Sequence, residues 1–244
     1  MMRSRALHRP KLLRTTLSAL LLGLAALTML ATWSARSIAQ SDPATQADYP
    51  LHGDDGQLIA NHRVRLLGPI EGLPGVVVVG NQHGKKTLTE FYDLNCPYCR
   101  LAAVRIGDMI EHDPEIRLVL VPFPVLGVNS ISASRVELAV AKLGTPQQFY
   151  AFHRRMYAQR GRNDGLRALA VAEELGFDPH ALTKLGNSEQ ITRTMKNLVS
   201  LGDALGLEAT PSFIIAGVAI LGFPGHHALQ SYVDAAAKCG KVIC

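Results

Sequence analysis

The hydrophobic pattern along this chain is strand-like in its middle, helical over a long later stretch, and strand-like again near the end. Short apolar runs bounded by glycine, proline and polar residues are typical of strands in a sheet. We predict strands at residues 63–67, 76–79, 86–92, 116–121, 213–216 and 218–221. Helical periodicity covers residues 97–112, the block from 130 to 205, and 226–238. The order β-α-β, helical block, β-β-α predicts an α/β fold.

The helical block carries its own start signal and its own buried faces. Thr145-Pro146-Gln147-Gln148 has the spacing of a capping box with proline in the first turn. Two apolar stripes at helical spacing follow, one at Phe149, Phe152, His153, Met156 and Tyr157, the other at Leu166, Leu169, Ala170 and Leu175. We interpret Phe149, Phe152, Met156 and Tyr157 as core in preference to a substrate groove, and His153 as a satisfied core histidine in preference to a ligand.

The first 39 residues have the pattern of an export signal. Residues 1–14 carry five basic side chains and no acid, and an uncharged stretch rich in Leu and Ala follows over 15–35. Ser37-Ile38-Ala39 predicts cleavage before Gln40, although the uncharged run is also long enough for an uncleaved membrane anchor. Either way the rest of the chain is predicted to be exported to the periplasm. Residues 40–62, rich in Asp, Gly, Gln and His, predict a poorly structured lead-in.

Setting the signal aside removes the apparent basicity of the chain. Six of the 25 Lys and Arg residues lie within positions 1–39 and none of the 20 acidic residues does, so the remainder has a formal net charge of −1. Nucleic-acid binding needs a basic patch or stripe, which this balance does not provide. About 205 residues remain, enough for one well-packed domain or a domain with a large insertion.

A pair of cysteines separated by two residues, Cys96-Pro97-Tyr98-Cys99, lies between the strand predicted at 86–92 and a helical run. Cys96 therefore falls at a helix N-terminus, where free N–H groups and the helix dipole favour a negative sulfur. The thiolate is the reactive form, and such positions lower a cysteine pKa to roughly 3.5–7.5. Cys99, one turn along the helix, can attack a mixed disulfide formed at Cys96. The same pair also fits half of a zinc site, but an oxidising compartment favours disulfide chemistry.

Thr210-Pro211 stands directly before the strand predicted at 213–216, and at this point the chain resembles a known family. A strand, a C-x-x-C helix and a later X-Pro-strand-hairpin-helix are similar to the thioredoxin fold, and the helical block between them resembles the DsbA family. The motifs that carry the resemblance are Glu90-Phe91-Tyr92-Asp93-Leu94-Asn95-Cys96-Pro97-Tyr98-Cys99, Pro122-Phe123-Pro124 and Thr210-Pro211-Ser212-Phe213. It covers about residues 75–238. Without it, Pro211 fits equally well as a trans proline that starts a strand.

The resemblance implies a division of the chain and an enzyme class. The division is a signal peptide or anchor at 1–39, a lead-in at 40–75, a thioredoxin-like domain at 76–125 and 206–244, and an inserted helical domain at 126–205. The class is an exported protein thiol-disulfide oxidoreductase that needs no cofactor. Its implied partners are cysteine-containing exported proteins and a membrane redox protein that reoxidises or reduces the pair. The lead-in also offers a surface for a homo-oligomer.

Residue roles follow from the same resemblance. Cys96 would be the exposed nucleophile and Cys99 the more buried resolving thiol. A cis Pro211 would face the sulfurs, shape a groove and exclude metal, while the backbone of Thr210 would pair with a bound peptide. Glu90 resembles the buried acid that some members place beneath the pair as a proton carrier, although a strand glutamate is as often exposed; Asp93 is a weaker candidate for that role.

The dipeptide between the cysteines, Pro97-Tyr98, tunes the redox couple. The most oxidising members have histidine where this chain has Tyr98, and an imidazole stabilises the thiolate in a way that a phenol does not. We therefore expect a weaker oxidant than those members. Tyr98 and Thr210 together also resemble members that reduce or isomerise disulfides, so the direction of electron flow stays open.

Two other groups of residues have binding chemistry. Cys239 and Cys244, at the C-terminus, predict a structural disulfide, with an intermolecular bridge, an accessory redox pair and a metal site as alternatives. His226-His227 fits a solvated turn at a helix start better than a metal site. A different class of function, an exported copper or zinc carrier using Cys96, Cys99 and the tail cysteines as soft ligands, is the alternative to the enzyme.

Overall fold

Residues 48–244 are described by the computed structural model and form a six-stranded sheet with helices on both sides. The strand order is β1-β6-β5-β3-β4-β2, with β3 and β4 parallel and the other neighbours antiparallel. The strands are β1 Asn61–Arg63, β2 Val77–Gly80, β3 Lys86–Tyr92, β4 Ile116–Pro122, β5 Ser212–Ile215 and β6 Val218–Leu221. The predicted signal peptide or anchor lies outside the described residues.

The centre of the sheet is a β-α-β unit that ends at the cysteine pair. Helix α1, Pro97–His112, follows β3 and returns the chain to β4, which pairs with β3 over its full length. Parallel strands need such a crossover, and the apolar runs of both strands reflect burial on both faces. The bounds of β3 and α1 agree with the sequence prediction, and those of β4 extend one residue beyond it.

A block of helices separates β4 from β5, as the fold prediction required. It contains α2 Val128–Leu143, α3 Pro146–Ala158, α4 Gly165–Glu174, α5 Pro179–Gly186 and α6 Glu189–Ala204. The chain then enters the β5-β6 hairpin and ends in α7, His226–Cys239. None of the helices in residues 48–244 is long and apolar enough to cross a membrane.

Side chains at the N-cap positions mark where the helices of this block begin. The predicted capping box is confirmed, because Thr145 Oγ1 accepts from the Gln148 N–H while the Gln148 side chain accepts from the Thr145 N–H. Asp164, Asp178 and Ser188 cap α4, α5 and α6 in the same way, each accepting from a backbone N–H of the first turn.

The period of two along β3 divides the core into two layers. Leu88 and Tyr92 pack into a cluster with α1, α3 and α7, whereas Phe91 packs into a cluster with Phe123 and α6 on the other face. Glu90 lies between Leu88 and Tyr92 in sequence and therefore shares the face that α1 covers. The sheet thus places one acidic side chain beneath the helix that begins at the cysteines.

Several sequence predictions differ from the structure, and the strands predicted at 76–79 and 213–216 lie one residue later and one residue earlier, at Val77–Gly80 and Ser212–Ile215. The first strand lies at Asn61–Arg63 and not at 63–67, because it is the earlier residues that pair with β6. The lead-in is not poorly structured over residues 48–62: Leu51 is fully buried, and Tyr232 Oη donates to the His52 carbonyl over 2.6 Å. Leu166 and Ala170, placed on an apolar stripe, are both exposed, because α4 buries Ala168, Val171 and Ala172 instead.

Candidate active site

The cysteine pair lies at the start of α1, where the chain leaves the central strand. Cys96 is the N-cap residue of the helix, Pro97 occupies its first turn, and the Cys96 N–H donates to the Asp93 carbonyl over 3.0 Å. No side chain caps this end of the helix, so its N–H groups face the Cys96 sulfur. Proline suits this position because it has no N–H to leave unpaired.

The two thiols are free and differ in environment. Cys99 is completely buried, and Cys96 keeps 4% of its surface exposed. The sequence prediction of an exposed Cys96 is therefore too strong, because the loop before β5 packs against this sulfur. A small opening remains at Cys96 and none at Cys99.

The same geometry moves the two pKa values in opposite directions. The pKa of Cys96 is lowered to about 6, chiefly by the hydrogen bond with the Cys99 thiol. The Thr210 side chain and the backbone N–H groups of Tyr98 and Cys99 lower it further, while burial acts in the opposite direction. Burial, followed by the hydrogen bond with Cys96 and the negative charges of Glu90 and Cys96, raises the pKa of Cys99 well above its ordinary value. At neutral pH Cys96 is largely a thiolate and Cys99 a thiol.

The loop before β5 brings Thr210 and Pro211 to the cysteines. The Thr210-Pro211 peptide bond is cis, and the Cys96 thiol donates to the Thr210 carbonyl with 2.9 Å between sulfur and oxygen. Two further hydrogen bonds fix this loop: the Gly222 N–H donates to the Pro211 carbonyl, and Ser212 Oγ donates to the Ala209 carbonyl. Residues 114 positions apart in sequence therefore meet at one sulfur.

Glu90 lies beneath the cysteine pair, and one oxygen of its buried carboxyl group has no hydrogen-bond partner in the part of the chain that the structure describes. Its side chain is 1% exposed, and its Oε1 has no hydrogen-bond partner within residues 48–244. Burial, with a smaller contribution from the negative charge at Cys96, raises the pKa of Glu90 to about 8. A carboxyl group in this state holds a proton at neutral pH and can release it when the charge at the cysteines changes.

Asp93, the weaker candidate for proton carrier, organises the turn between β3 and α1. Its Oδ1 accepts from Asn95 N–H and Ser130 Oγ, and its Oδ2 accepts from the Leu126 N–H. Because these donors occupy both oxygens, the carboxylate shapes the backbone before Cys96. A role in proton transfer is less well supported here than for Glu90.

Residues outside the cysteine motif also contribute to the site, and the sequence patterns indicated only one of them. Asn163 is fully buried and donates from Nδ2 to the carbonyls of Leu94 and Met156. Tyr157 Oη donates to the Asp93 carbonyl over 3.0 Å, and the Arg100 guanidinium donates to the Tyr157 and Gln159 carbonyls. Only Tyr157 had a signal, as a core residue on an apolar stripe.

The surface around the pair is partly apolar. Tyr98, between the cysteines, is 64% exposed. Asn95 lines a surface cavity of about 540 Å³ together with Leu126, Val128 and Arg162. Leu126 and Val128 are themselves exposed and lie beside the polar side chains of Asn95 and Arg162 in this cavity.

The tail cysteines are remote from the pair in sequence and are joined to each other. Cys239 and Cys244 form a disulfide with their Cα atoms 6.3 Å apart, and Val242 between them is 1% exposed. The bond closes a short loop at the end of α7, in which Val242 is buried in the core and Ile243 is exposed. His153, in α3, is buried, but its Nδ1 lies 3.8 Å from Glu137 Oε1 and has no hydrogen-bond partner among the described residues, so it is not satisfied as predicted.

Within the described residues, a third protein ligand for a metal ion is not assembled at the cysteine pair. Among residues 48–244, no third histidine, cysteine or carboxylate atom joins Cys96 and Cys99 at ligand distance, and the tail cysteines are bonded to each other. A soft metal bound here would have two protein ligands, and structural zinc usually takes four.

Comparison with known proteins agrees with this geometry. Residues 87–234 match the family model described as DSBA-like thioredoxin domain. A thioredoxin-like oxidoreductase from Silicibacter pomeroyi is 32% identical, with a TM-score of 0.63, over 70% of this chain and 99% of that one. A periplasmic thioredoxin-like protein from Salmonella enterica serovar Typhimurium is 26% identical, with a TM-score of 0.61, over 68% of this chain and 92% of that one.

One curated relative is a much longer protein than this chain. The Na(+)/H(+) antiporter NhaA 1 of Salinispora arenicola is 25% identical over 162 residues, which are 62% of this chain. The chain spans about a quarter of the length of that relative, as the match covers 24% of it. The matched family model and the similar folds confirm the prediction made from the cysteine and proline motifs: the chain belongs to the DSBA-like thioredoxin domain family of thiol-disulfide oxidoreductases.

Proposed function

We propose that this protein exchanges disulfides with cysteine-containing exported proteins, with Cys96 as the sulfur that bonds to the substrate and Cys99 as the resolving thiol. The observation that carries the proposal is the opposite displacement of the two pKa values, to about 6 at Cys96 and upwards at Cys99. One sulfur is then charged and reactive at neutral pH, while the other is protected and protonated.

The exchange transfers two electrons between the substrate and the pair. To oxidise a substrate, its thiolate attacks Cys96 Sγ of the Cys96–Cys99 disulfide, the S–S bond breaks, and Cys99 leaves with the electron pair. A second substrate thiolate then attacks the mixed disulfide, forms the substrate disulfide and releases Cys96 as a thiolate. Reduction of a substrate runs the same steps in reverse, beginning with the Cys96 thiolate.

Glu90 is proposed as the proton carrier for Cys99. A thiolate leaving in a fully buried position is costly unless it gains a proton at once. Glu90 holds a proton at neutral pH because burial raises its pKa to about 8, and its charge is electrostatically coupled to both cysteines. The carboxyl would protonate Cys99 when it leaves and take the proton back when Cys99 attacks.

The strength of the couple is proposed to lie below that of the most oxidising relatives. A low pKa at the reactive thiol stabilises the reduced form, and DsbA itself has a value of about 3.5. The value of about 6 at Cys96, next to an exposed Tyr98 in place of an imidazole, supports a milder couple. Pro211 and Thr210 are proposed as the wall and the backbone edge against which a substrate peptide binds.

The compartment and the redox partner belong to the same proposal. The basic and apolar segment in residues 1–39 has the pattern of an export signal, and a similar solved protein is periplasmic by description. Export would place the protein where disulfides form, with a membrane redox protein to restore the pair after each cycle.

A trapping experiment tests the proposal. Cys99→Ala removes the thiol that would resolve a mixed disulfide at Cys96. We therefore expect mixed disulfides between Cys96 and exported proteins to accumulate, and a reducing agent should release them. Cys96→Ala, the matched control, should trap nothing. The absence of adducts with Cys99→Ala in an oxidising compartment would contradict the assigned roles. The redox potential of the pair, measured together with the isomerisation of a scrambled substrate, decides the direction.

A further inference from the structure

One cluster of metal-binding side chains lies outside the redox site. It consists of Asp54, in the lead-in, and of His226 and His227, the first two residues of α7. One ligand atom from each residue lies within 4.8 Å of the other two. His226 Nδ1 is 3.7 Å from Asp54 Oδ2, and the two imidazole rings are 3.8 Å apart between centroids.

The carboxylate of this cluster is held in place by backbone groups. The Asp54 N–H donates to the Pro224 carbonyl over 2.7 Å. Asp54 Oδ1 accepts from the Ala228 N–H and Oδ2 from the His227 N–H, over 2.8 and 3.3 Å. Gly225, with φ of +98°, allows this approach, because a Cβ there would overlap the Asp54 carboxylate. Such outer hydrogen bonds orient a ligand before metal arrives.

Helix capping alone accounts for Asp54 but not for the two imidazoles. Asp178 caps α5 by accepting from the His180 N–H, yet His180 is a single exposed histidine with no partner cluster in the described part of the chain. At α7 the same capping geometry brings two imidazoles to one carboxylate. The positive end of the helix dipole opposes a cation, and the negative charge of Asp54 offsets that opposition.

We propose that Asp54, His226 and His227 form a binding site for a divalent transition-metal ion of the zinc class. Imidazole nitrogen and carboxylate oxygen are ligands that zinc, nickel and copper(II) accept, and two histidines with one carboxylate are a common set for a site with an open position. The side chains of His226 and Asp54 are 36% and 31% exposed, His227 is exposed, and the two histidines line a cavity of about 480 Å³, so water can occupy the fourth position.

A metal bound here would join the lead-in to the last helix. Asp54 belongs to the segment before β1, and the two histidines belong to α7, so the ion would link parts of the chain more than 170 residues apart. Binding to the folded state alone raises its stability with the concentration of free metal. The site is therefore assigned a structural role, separate from the chemistry of Cys96 and Cys99.

The test is a titration of the oxidised full-length chain with Zn²⁺, in which the cysteines are disulfides and do not compete. We expect one equivalent to bind at this site and the melting temperature to rise with Zn²⁺. His226→Ala and His227→Ala should each weaken binding by about tenfold or more. The double variant should lose both the binding and the thermal shift. Asp54→Asn, which keeps a capping oxygen, should weaken binding while leaving the zinc-free melting temperature nearly unchanged.

His180→Ala is the matched control and should bind Zn²⁺ as the wild type does. Cu²⁺ bound to the wild type should show hyperfine coupling to two imidazole nitrogens in its electron paramagnetic resonance spectrum, a readout that does not depend on a variant folding. Equal Zn²⁺ affinity in the wild type and the double variant would mean an adventitious ion only and would overturn the proposal.

Discussion

Asn95 and Asn163 exchange two hydrogen bonds: Asn95 Nδ2 donates to the Asn163 carbonyl over 2.8 Å, and the Asn163 N–H donates to Asn95 Oδ1 over 2.7 Å. One partner directly precedes Cys96, and the other lies in the helical block. Asn163 is fully buried and extends the contact to the Leu94 carbonyl. The helical block therefore holds the backbone that directly precedes Cys96.

Removing the Asn163 side chain should destabilise the fold and loosen this backbone. Asn163→Ala leaves the Leu94 carbonyl without the Asn163 donor and removes one of the two donors to the Met156 carbonyl, the other being the Gln159 N–H, which costs about 1–3 kcal/mol of unfolding free energy. Asn163→Asp should cost more, because a carboxylate would face those carbonyls without donors. Urea unfolding measures both, with Asn187→Ala, at an exposed asparagine, as the control. Equal stabilities of the Ala and Asp variants would contradict this account.

The two cysteines should differ in their reactivity towards alkylating agents. In the reduced protein, the rate at Cys96 should follow a titration with a midpoint near pH 6, since only the thiolate reacts. Cys99 should stay unlabelled until the protein unfolds. Mass spectrometry after timed labelling separates the two sites, and the Cys96→Ser variant gives the background. Labelling of both at the same rate across the pH range would refute the assignment.

The Thr210 hydroxyl should contribute to this titration. Thr210→Val keeps the size of the side chain and the backbone carbonyl but removes the hydroxyl that helps to lower the pKa of Cys96. The midpoint of Cys96 alkylation should therefore move upwards from about 6. Thr192→Val, at a threonine remote from the cysteines in sequence, serves as the control and should leave the midpoint unchanged. An unshifted midpoint in Thr210→Val would show that the helix N–H groups and Cys99 lower the pKa of Cys96 without help from the Thr210 hydroxyl.

Glu90 should make the folded protein less stable as the pH rises. Its pKa is raised from 4.5 to about 8, so between these values the folded protein holds a proton that the unfolded chain has released. Unfolding free energy then decreases by about 1.4 kcal/mol per pH unit across that interval. Glu90→Gln should remove this decrease, and its gain over the wild type should be largest near pH 8. Denaturation of the oxidised protein tests this without titration of Cys96.

The same substitution should slow disulfide exchange. Glutamine cannot transfer a proton to Cys99, and loss of a general acid or base commonly costs 10²-fold or more. Stopped-flow exchange with a disulfide peptide measures the rate. Glu137→Gln removes another fully buried acid, which accepts from Tyr92 Oη, and should alter stability more than exchange. A Glu90→Gln variant that exchanges at the wild-type rate would exclude Glu90 as the proton carrier.

The tail disulfide should stabilise the protein without taking part in exchange. Closing a loop of this length contributes about 2 kcal/mol in the chain-entropy model. Cys239→Ser with Cys244→Ser should therefore lower the unfolding free energy by up to that amount and leave the exchange rate unchanged. Val242→Ala, which keeps the disulfide but empties a buried position, is the companion variant. Slower exchange in the double variant would indicate an accessory redox role.

Much of the fold could be predicted from the sequence, because its signals are local. The apolar runs of β3 and β4, the C-x-x-C sequence and the Thr145 capping box each depend on neighbouring residues and therefore appear in the pattern itself. The predictions failed where the local pattern is uninformative. Residues 40–62 lack periodicity, and their polarity alone does not reveal that Leu51 is buried or that Asp54 caps a distant helix.

Sequence patterns were enough to select the candidate site residues: a cysteine pair at a helix start, a strand glutamate six residues earlier, and a distant X-Pro step. The environments of these residues depend on tertiary contacts. The alternation of side chains along β3 places Glu90 on one face of the sheet. Whether that face is exposed to solvent or buried depends on α1 and the neighbouring strands. Exposure, hydrogen bonding and pKa arise from contacts between segments far apart in the chain. The Asn95–Asn163 pair and the Asp54–His226–His227 cluster exist for the same reason, since no local pattern encodes which distant residues will meet.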